Sequence, residues 1–83
     1  MSQDKREMIK GRLNKIFQDV FDDDRIQIVD DMTAKDIEEW DSLMHITLVV
    51  ATEKEFSLRL NAAEIGNLKD VGGMIDLIIE RTK

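Results

Sequence analysis

Fifteen consecutive residues, Ser42 to Phe56, pass without a glycine or a proline. Within them His45, Leu48, Val49, Thr52 and Phe56 stand at i, i+3, i+4, i+7 and i+11, one continuous face of a helix. The β-branched run Ile46-Thr47-Leu48-Val49-Val50 would also suit a buried strand, but length and period select a helix. Leu43, Ile46 and Val50 form a second, rotated stripe on the same segment. It either faces the interior as well or forms an exposed docking ridge beginning one residue after Ser42.

The same periodicity recurs at both ends of the chain. Ile9, Leu13, Ile16, Phe17 and Val20, flanked by Met8 and Phe21, predict a helix from about Asp4 to Val20, with Asp4 and Glu7 as a capping pair. Gly11 within it costs about 1 kcal/mol relative to alanine. Near the C-terminus Asp70 caps a last helix that turns Val71, Met74, Ile75, Ile78 and Ile79 inward and places Arg81 and Lys83 at its negative end. Gly72-Gly73 in its first turns suits either close helix packing or a soft wall that admits a ligand chain. Between these helices Ser57 to Leu60 form a connector, and Asn61 caps a short turn through Ile65 that Gly66-Asn67 stop. Residues 22 to 41 lack a sustained period. A loop that long needs its own anchors, for which Ile26, Ile28, Met32, Ile37 and Trp40 are available, with a helical turn over Thr33 to Glu39. The expected fold is all-α: a small bundle of three main helices and one short one, with a long first loop, in one domain spanning residues 1–83.

Such a chain buries only about 60% of its unfolded surface. It contains no cysteine, so neither a disulfide nor a thiolate zinc site can staple it. The charged N-terminus excludes a secretory signal, and no apolar stretch approaches a membrane span; a cytoplasmic monomer without membrane insertion is expected. Charge is distributed unevenly. Residues 19 to 41 hold ten acids against Arg25 and Lys35, a local charge of −8 within a total of −6. The remainder is therefore slightly positive, with Lys5, Arg6, Lys10, Arg12 and Lys15 on the first helix. The acidic end repels nucleic acid and attracts basic partners.

Catalytic and metal readings fail on spacing. Asp41, Ser42 and His45 hold the groups of a hydrolase triad, but at i, i+1 and i+4 they cannot line up behind the hydroxyl, and no strand-turn-helix elbow surrounds the serine. No catalytic residue is expected. His45, the lone histidine, lies on the inward helix face, where a hydrogen-bonded structural role outweighs metal ligation. Asp22-Asp23-Asp24 lacks the spacing and glycine of a calcium loop. No metal site is expected.

What remains is Ser42 itself. At a helix start either Asp41 or Ser42 can cap the free N–H groups, and a phosphoryl group on the serine would meet the positive end of the dipole. The run W-D-S-L-M-H-I-T-L, followed eleven residues after the serine by E-K-E-F, resembles the attachment motif of acyl carrier proteins, and the likeness in element order covers nearly the whole chain. The D-S-L-x-H pattern is shared by some stand-alone carriers.

This resemblance implies a 4′-phosphopantetheine arm on Ser42, transferred from coenzyme A by a phosphopantetheinyl transferase that recognises Asp41. The arm brings the thiol that the chain lacks and carries acyl groups as thioesters between acyl-loading and acyl-transfer enzymes with basic docking patches. Leu43, Met44, Ile46, Thr47, Val50 and Glu53 match the helix such partners grip. Fatty-acid-synthase carriers usually place acids where this chain has Met44 and Thr47, which favours a dedicated lipid, polyketide-like or other specialised pathway. A cavity lined by Leu48, Val49, Leu60, Ile65, Leu68 and Ile75 would shelter an acyl chain. The rival readings are a peptidyl or aminoacyl carrier and an unmodified acidic helical adaptor.

Overall fold

A computed structural model describes residues 2–37, 39–68 and 70–82, with the side chains of Ser2, Gln3 and Asp4 outside the description. The expected capping pair of Asp4 with Glu7 therefore lies outside the described residues, as does the side chain of Lys83. Four helices follow one another: α1 (Ser2–Val20), α2 (Ser42–Phe56), α3 (Ala62–Gly66) and α4 (Val71–Arg81). Among the described residues there is no strand, and the all-α expectation holds.

The apolar stripes converge on one core. Leu13, Phe17, Leu48, Val71, Met74, Ile75 and Ile78 are almost fully buried, and Ile9, Ile16 and Phe21 join them. Polar contacts at the helix ends set direction. Arg12 of α1 bonds the Glu55 carboxylate at 2.8 Å and the Glu55 carbonyl at 2.9 Å, and its guanidinium lies 4.6 Å above the centre of the Phe56 ring. Trp40, just ahead of α2, packs edge-on against Phe17 at 5.3 Å between ring centres. Hence α2 starts beside the C-terminal end of α1 and runs back along it. α4 is also antiparallel to α1, since Lys5 donates to the Thr82 carbonyl at 3.2 Å.

The long loop is structured by anchors of two kinds. Ile28, Ile37 and Trp40 are buried, while Ile26 and Met32 pack half-buried against the core. The expected helical turn over Thr33 to Glu39 is instead a pair of tight turns, closed by Asp36 N–H to the Thr33 carbonyl (2.9 Å) and Trp40 N–H to the Ile37 carbonyl (3.1 Å). Side chains of α1 satisfy loop backbone: Asn14 accepts from Ile28 N–H at 2.7 Å, and Gln18 donates to the Ile26 carbonyl at 3.0 Å. Asp30 completes the attachment. Its carboxylate receives Arg6 at 2.6 Å and Lys10 at 2.9 Å, and these cations hold it below the usual range of an aspartate.

Gly72 resolves in favour of close packing rather than a ligand wall. Its N–H donates to the Asp30 carbonyl at 2.7 Å, and Val71 N–H donates to the Met32 carbonyl at 3.0 Å. A Cβ at Gly72 would stand 2.9 Å from the Asp30 oxygen. The loop thus occupies the N–H groups that open α4, while the Asp70 carboxylate caps Gly73 N–H at 2.7 Å.

Candidate functional site

The sequence left the cap of α2 open between Asp41 and Ser42; the structure gives it to Asp41. Its backbone is extended, and its Oδ1 accepts the Met44 N–H at 2.9 Å while its carbonyl accepts the His45 N–H at 2.8 Å. Ser42 becomes the first helical residue, exposed to solvent, and its hydroxyl makes no hydrogen bond among the described residues. The N–H of Leu43 is likewise without an acceptor among them. An exposed, uncommitted hydroxyl on the first turn of a fifteen-residue helix can be esterified without unpacking anything. A phosphodiester there would meet the positive end of the dipole. The fit is sound.

Beside the serine lies a cleft of about 510 Å³ between the end of the loop, α2 and the α3 region, with Trp40, Ser42, His45, Ile46, Ile65 and Leu68 among its lining. His45 is half-buried in its wall. The Trp40 indole N–H donates to its Nδ1 at 3.1 Å, and its Nε2 stands 3.2 Å from the Ile65 carbonyl oxygen. The indole can only donate and the carbonyl can only accept, so in this arrangement Nδ1 is the acceptor and Nε2 carries the donated proton. Imidazole and indole lie side by side in nearly one plane, 18° apart with ring centres 6.0 Å from each other, as the hydrogen bond between their ring nitrogens requires. Both ring nitrogens are thereby occupied, as a structural histidine requires.

Three of the five residues on the expected inward face of α2, Leu48, Val49 and Thr52, are buried, and His45 and Phe56 flank them half-buried. The Thr52 hydroxyl is satisfied by the Leu48 carbonyl at 2.8 Å. The rotated stripe faces water: Leu43 is 71% exposed, Ile46 57% and Val50 44%. Thr47 is exposed beside them, bonded to the Leu43 carbonyl. Met44 is half-buried against the core at the margin of this ridge. Glu53 stands apart from it in its bonding, since its Oε2 accepts the Leu60 N–H at 2.8 Å and fastens the connector after α2. Of the six residues proposed from sequence to line an acyl cavity, Leu48, Val49, Leu60 and Ile75 are buried in the packed interior, whereas Ile65 and Leu68 line the open cleft.

The Trp40–His45–Ile65 relay was not legible beforehand. Its only sequence signal is a lone histidine one turn into the inward face of a helix that follows a lone tryptophan.

Comparison with known proteins decides the family. No family model matches the chain. The polyketide-8 synthase acyl carrier protein 2 of Streptomyces avermitilis is 31% identical over 72 residues, an alignment that spans 87% of this chain and 83% of that protein. This chain belongs to the acyl carrier protein family. The solution structure of a holo acyl carrier protein from Geobacter metallireducens superposes on it with a TM-score of 0.81 at 38% identity, covering 86% of this chain and 82% of that one. The relatives are carrier proteins, and the all-α bundle is the fold of the solved neighbour. Among the described residues no group of His, Asp and Glu is placed to hold a metal ion, and no helix is long and apolar enough to cross a membrane.

Proposed function

We propose that this chain is a single carrier domain, a cytoplasmic monomer that bears 4′-phosphopantetheine on Ser42 and presents acyl groups to partner enzymes. The observation that carries the reading is the exposed hydroxyl of Ser42 on the first turn of α2, in a chain of this family. In attachment the Ser42 oxygen forms a bond to the phosphorus next to the pantetheine of coenzyme A. The bond to the bridging oxygen breaks, 3′,5′-adenosine bisphosphate leaves, and the serine proton passes to a base of the transferase. The arm supplies a thiol on which an acyl group rides as a thioester.

The chain's own residues do positional work. Asp41 fixes the helix start and offers the transferase a carboxylate beside the hydroxyl, its Oδ2 making no hydrogen bond among the described residues. Leu43, Ile46, Thr47 and Val50 offer an uncharged docking ridge, with Met44 at its margin and Glu53 one turn on. Exposed acids ahead of it, Asp36, Glu39 and Asp41, steer basic partner surfaces toward the site. The neutral ridge, and a relative named for a polyketide synthase, support service to a specialised lipid or polyketide-like pathway rather than the general fatty acid synthase.

Intact mass after incubation with coenzyme A and a broad-specificity phosphopantetheinyl transferase tests the reading. One arm is gained by the native chain and none by Ser42→Ala. No gain on the native chain, or a gain that survives the substitution, overturns it.

A further inference from the structure

The short helix α3 contributes no buried residue to the core. Its flanks are anchored by Leu60 and Leu68, and the helix itself is reached by two polar links from other elements, an ion pair from Arg81 to Glu64 and the bond from His45 Nε2–H to the Ile65 carbonyl at 3.2 Å. Of these only the last joins α3 to α2, and it does so one turn below Ser42, on the helix face that continues to Leu48 and Val49. A chain that runs from the serine along this face toward the interior must pass between His45 and Ile65. The opposite ring nitrogen is tied to Trp40, so the imidazole cannot swing aside without also giving up the indole bond.

We infer that His45 is a latch between α2 and α3: its Nε2–H···O=C bond to Ile65 keeps the cleft beside Ser42 shut toward the interior, and cargo enters only by displacing that bond. The inference rests on the carrier reading for its cargo, but the latch exists in the unmodified protein. It makes His45 a residue that governs access, not a catalytic one. Long apolar chains displace the latch more readily than short ones, because each additional buried methylene adds to the compensation for the lost bond.

Two amides separate the two halves of the relay. An asparagine side chain ends where Nδ1 lies and can still accept from Trp40, but it falls short of Ile65; a glutamine reaches the Nε2 position and can still donate there. In the unmodified full chain, amide exchange at Ile65 and Asn67 of the α3 region is expected to rise about fivefold in His45→Asn, the factor contributed by one net hydrogen bond. His45→Gln should stay within about twofold of the native chain.

With an octanoyl group loaded from octanoyl-coenzyme A, cleavage of the thioester by hydroxylamine should slow in His45→Asn and not in His45→Gln, since the unlatched cleft shelters the chain. Unchanged α3 exchange in a folded His45→Asn refutes the latch, and faster exchange without slower cleavage refutes its control of access. Should His45→Asn fail to fold, imidazole nitrogen shifts in the native chain decide: a protonated Nε2 with a bare Nδ1 supports the latch, and the opposite tautomer overturns it. Failure of the serine to accept an arm would show as absent mass gain and leave the exchange result to judge the latch alone.

Discussion

Alanine at Gly72 and alanine at Gly11 make the same chemical change in two helices and should move stability in opposite directions. At Gly11 an added Cβ meets nothing within 4 Å, so the substitution gains only helix propensity, about 1 kcal/mol. At Gly72 the same gain is available, but the new carbon would stand 2.9 Å from the Asp30 carbonyl oxygen and 3.4 Å from its Cβ. That neighbour is backbone and cannot rotate away. The loop must retreat, which stretches the bonds to Gly72 and Val71 that it makes at 2.7 and 3.0 Å. Overpacking of this kind costs about 1–3 kcal/mol and a weakened backbone bond about 1 kcal/mol more, so after the propensity gain the net loss is about 1–3 kcal/mol.

For a domain of this size each kcal/mol moves Tm by about 4–8 °C. Gly11→Ala should therefore melt about 4–8 °C above the native chain and Gly72→Ala about 4–24 °C below it, followed by helical circular dichroism and checked by urea titration. Gly72→Ala that melts at or above the native chain while Gly11→Ala behaves as expected would refute the claim that the long loop is stitched to the start of α4.

Asp30 sets a pH dependence. Its carboxyl is held below the ordinary aspartate range by Arg6 and Lys10, so its contribution is present above the unfolded pKa of about 4 and is lost as pH falls through the depressed folded value. Asp30→Asn should flatten the acid limb of a Tm-against-pH curve and leave the alkaline limb unchanged; an unaltered acid limb contradicts the pairing. Ser57 closes α2 in the left-handed region at φ 54°, and Ser57→Gly should raise stability by about 0.5–1 kcal/mol in urea melts. Asp41→Ala should lose about 1 kcal/mol with the cap, whereas Asp41→Asn keeps the cap and the Tm. If the transferase reads charge at this position, the asparagine variant alone separates the roles, accepting the arm more slowly at native stability.

The helices were legible because their period is local information. Ile9, Leu13, Ile16 and Phe17 repeat on one face of α1 whatever they pack against, and Asp41, Asn61 and Asp70 announce helix starts by chemistry confined to three residues. Two ambiguities were left because their answers lie in partners distant in sequence. Whether Leu43, Ile46 and Val50 face water depends on how many neighbours α2 has; with α1 packed along it and only the short α3 bonded beside it, one side of a helix that is apolar on more than one face goes uncovered. Gly72 could not be assigned from its own helix, because the atom it makes room for belongs to Asp30, forty-two positions earlier.

The loop shows the same limit from the other side. Its apolar anchors were readable as residues that must be buried, but the turn over Thr33 to Glu39 was not, because the backbone there is directed by what it bonds to. Thr33 N–H is taken by the Asp36 carboxylate at 2.9 Å and Lys35 N–H by the Thr33 hydroxyl at 3.2 Å, local side-chain acceptors that compete with a helical ladder. Asn14 and Gln18, four apart on α1, then supply acceptor and donor to Ile28 and Ile26. Polar residues beside an apolar stripe are usually assigned to solvent; here they replace the backbone partners that a strand or helix would have provided. The loop can therefore stay irregular and still deliver Trp40 to the core edge, which places Asp41 and Ser42 at the tip of α2. The position of the serine is thus set jointly by the helix that carries it and by the hydrogen bonds of a segment with no helix or strand among its described residues.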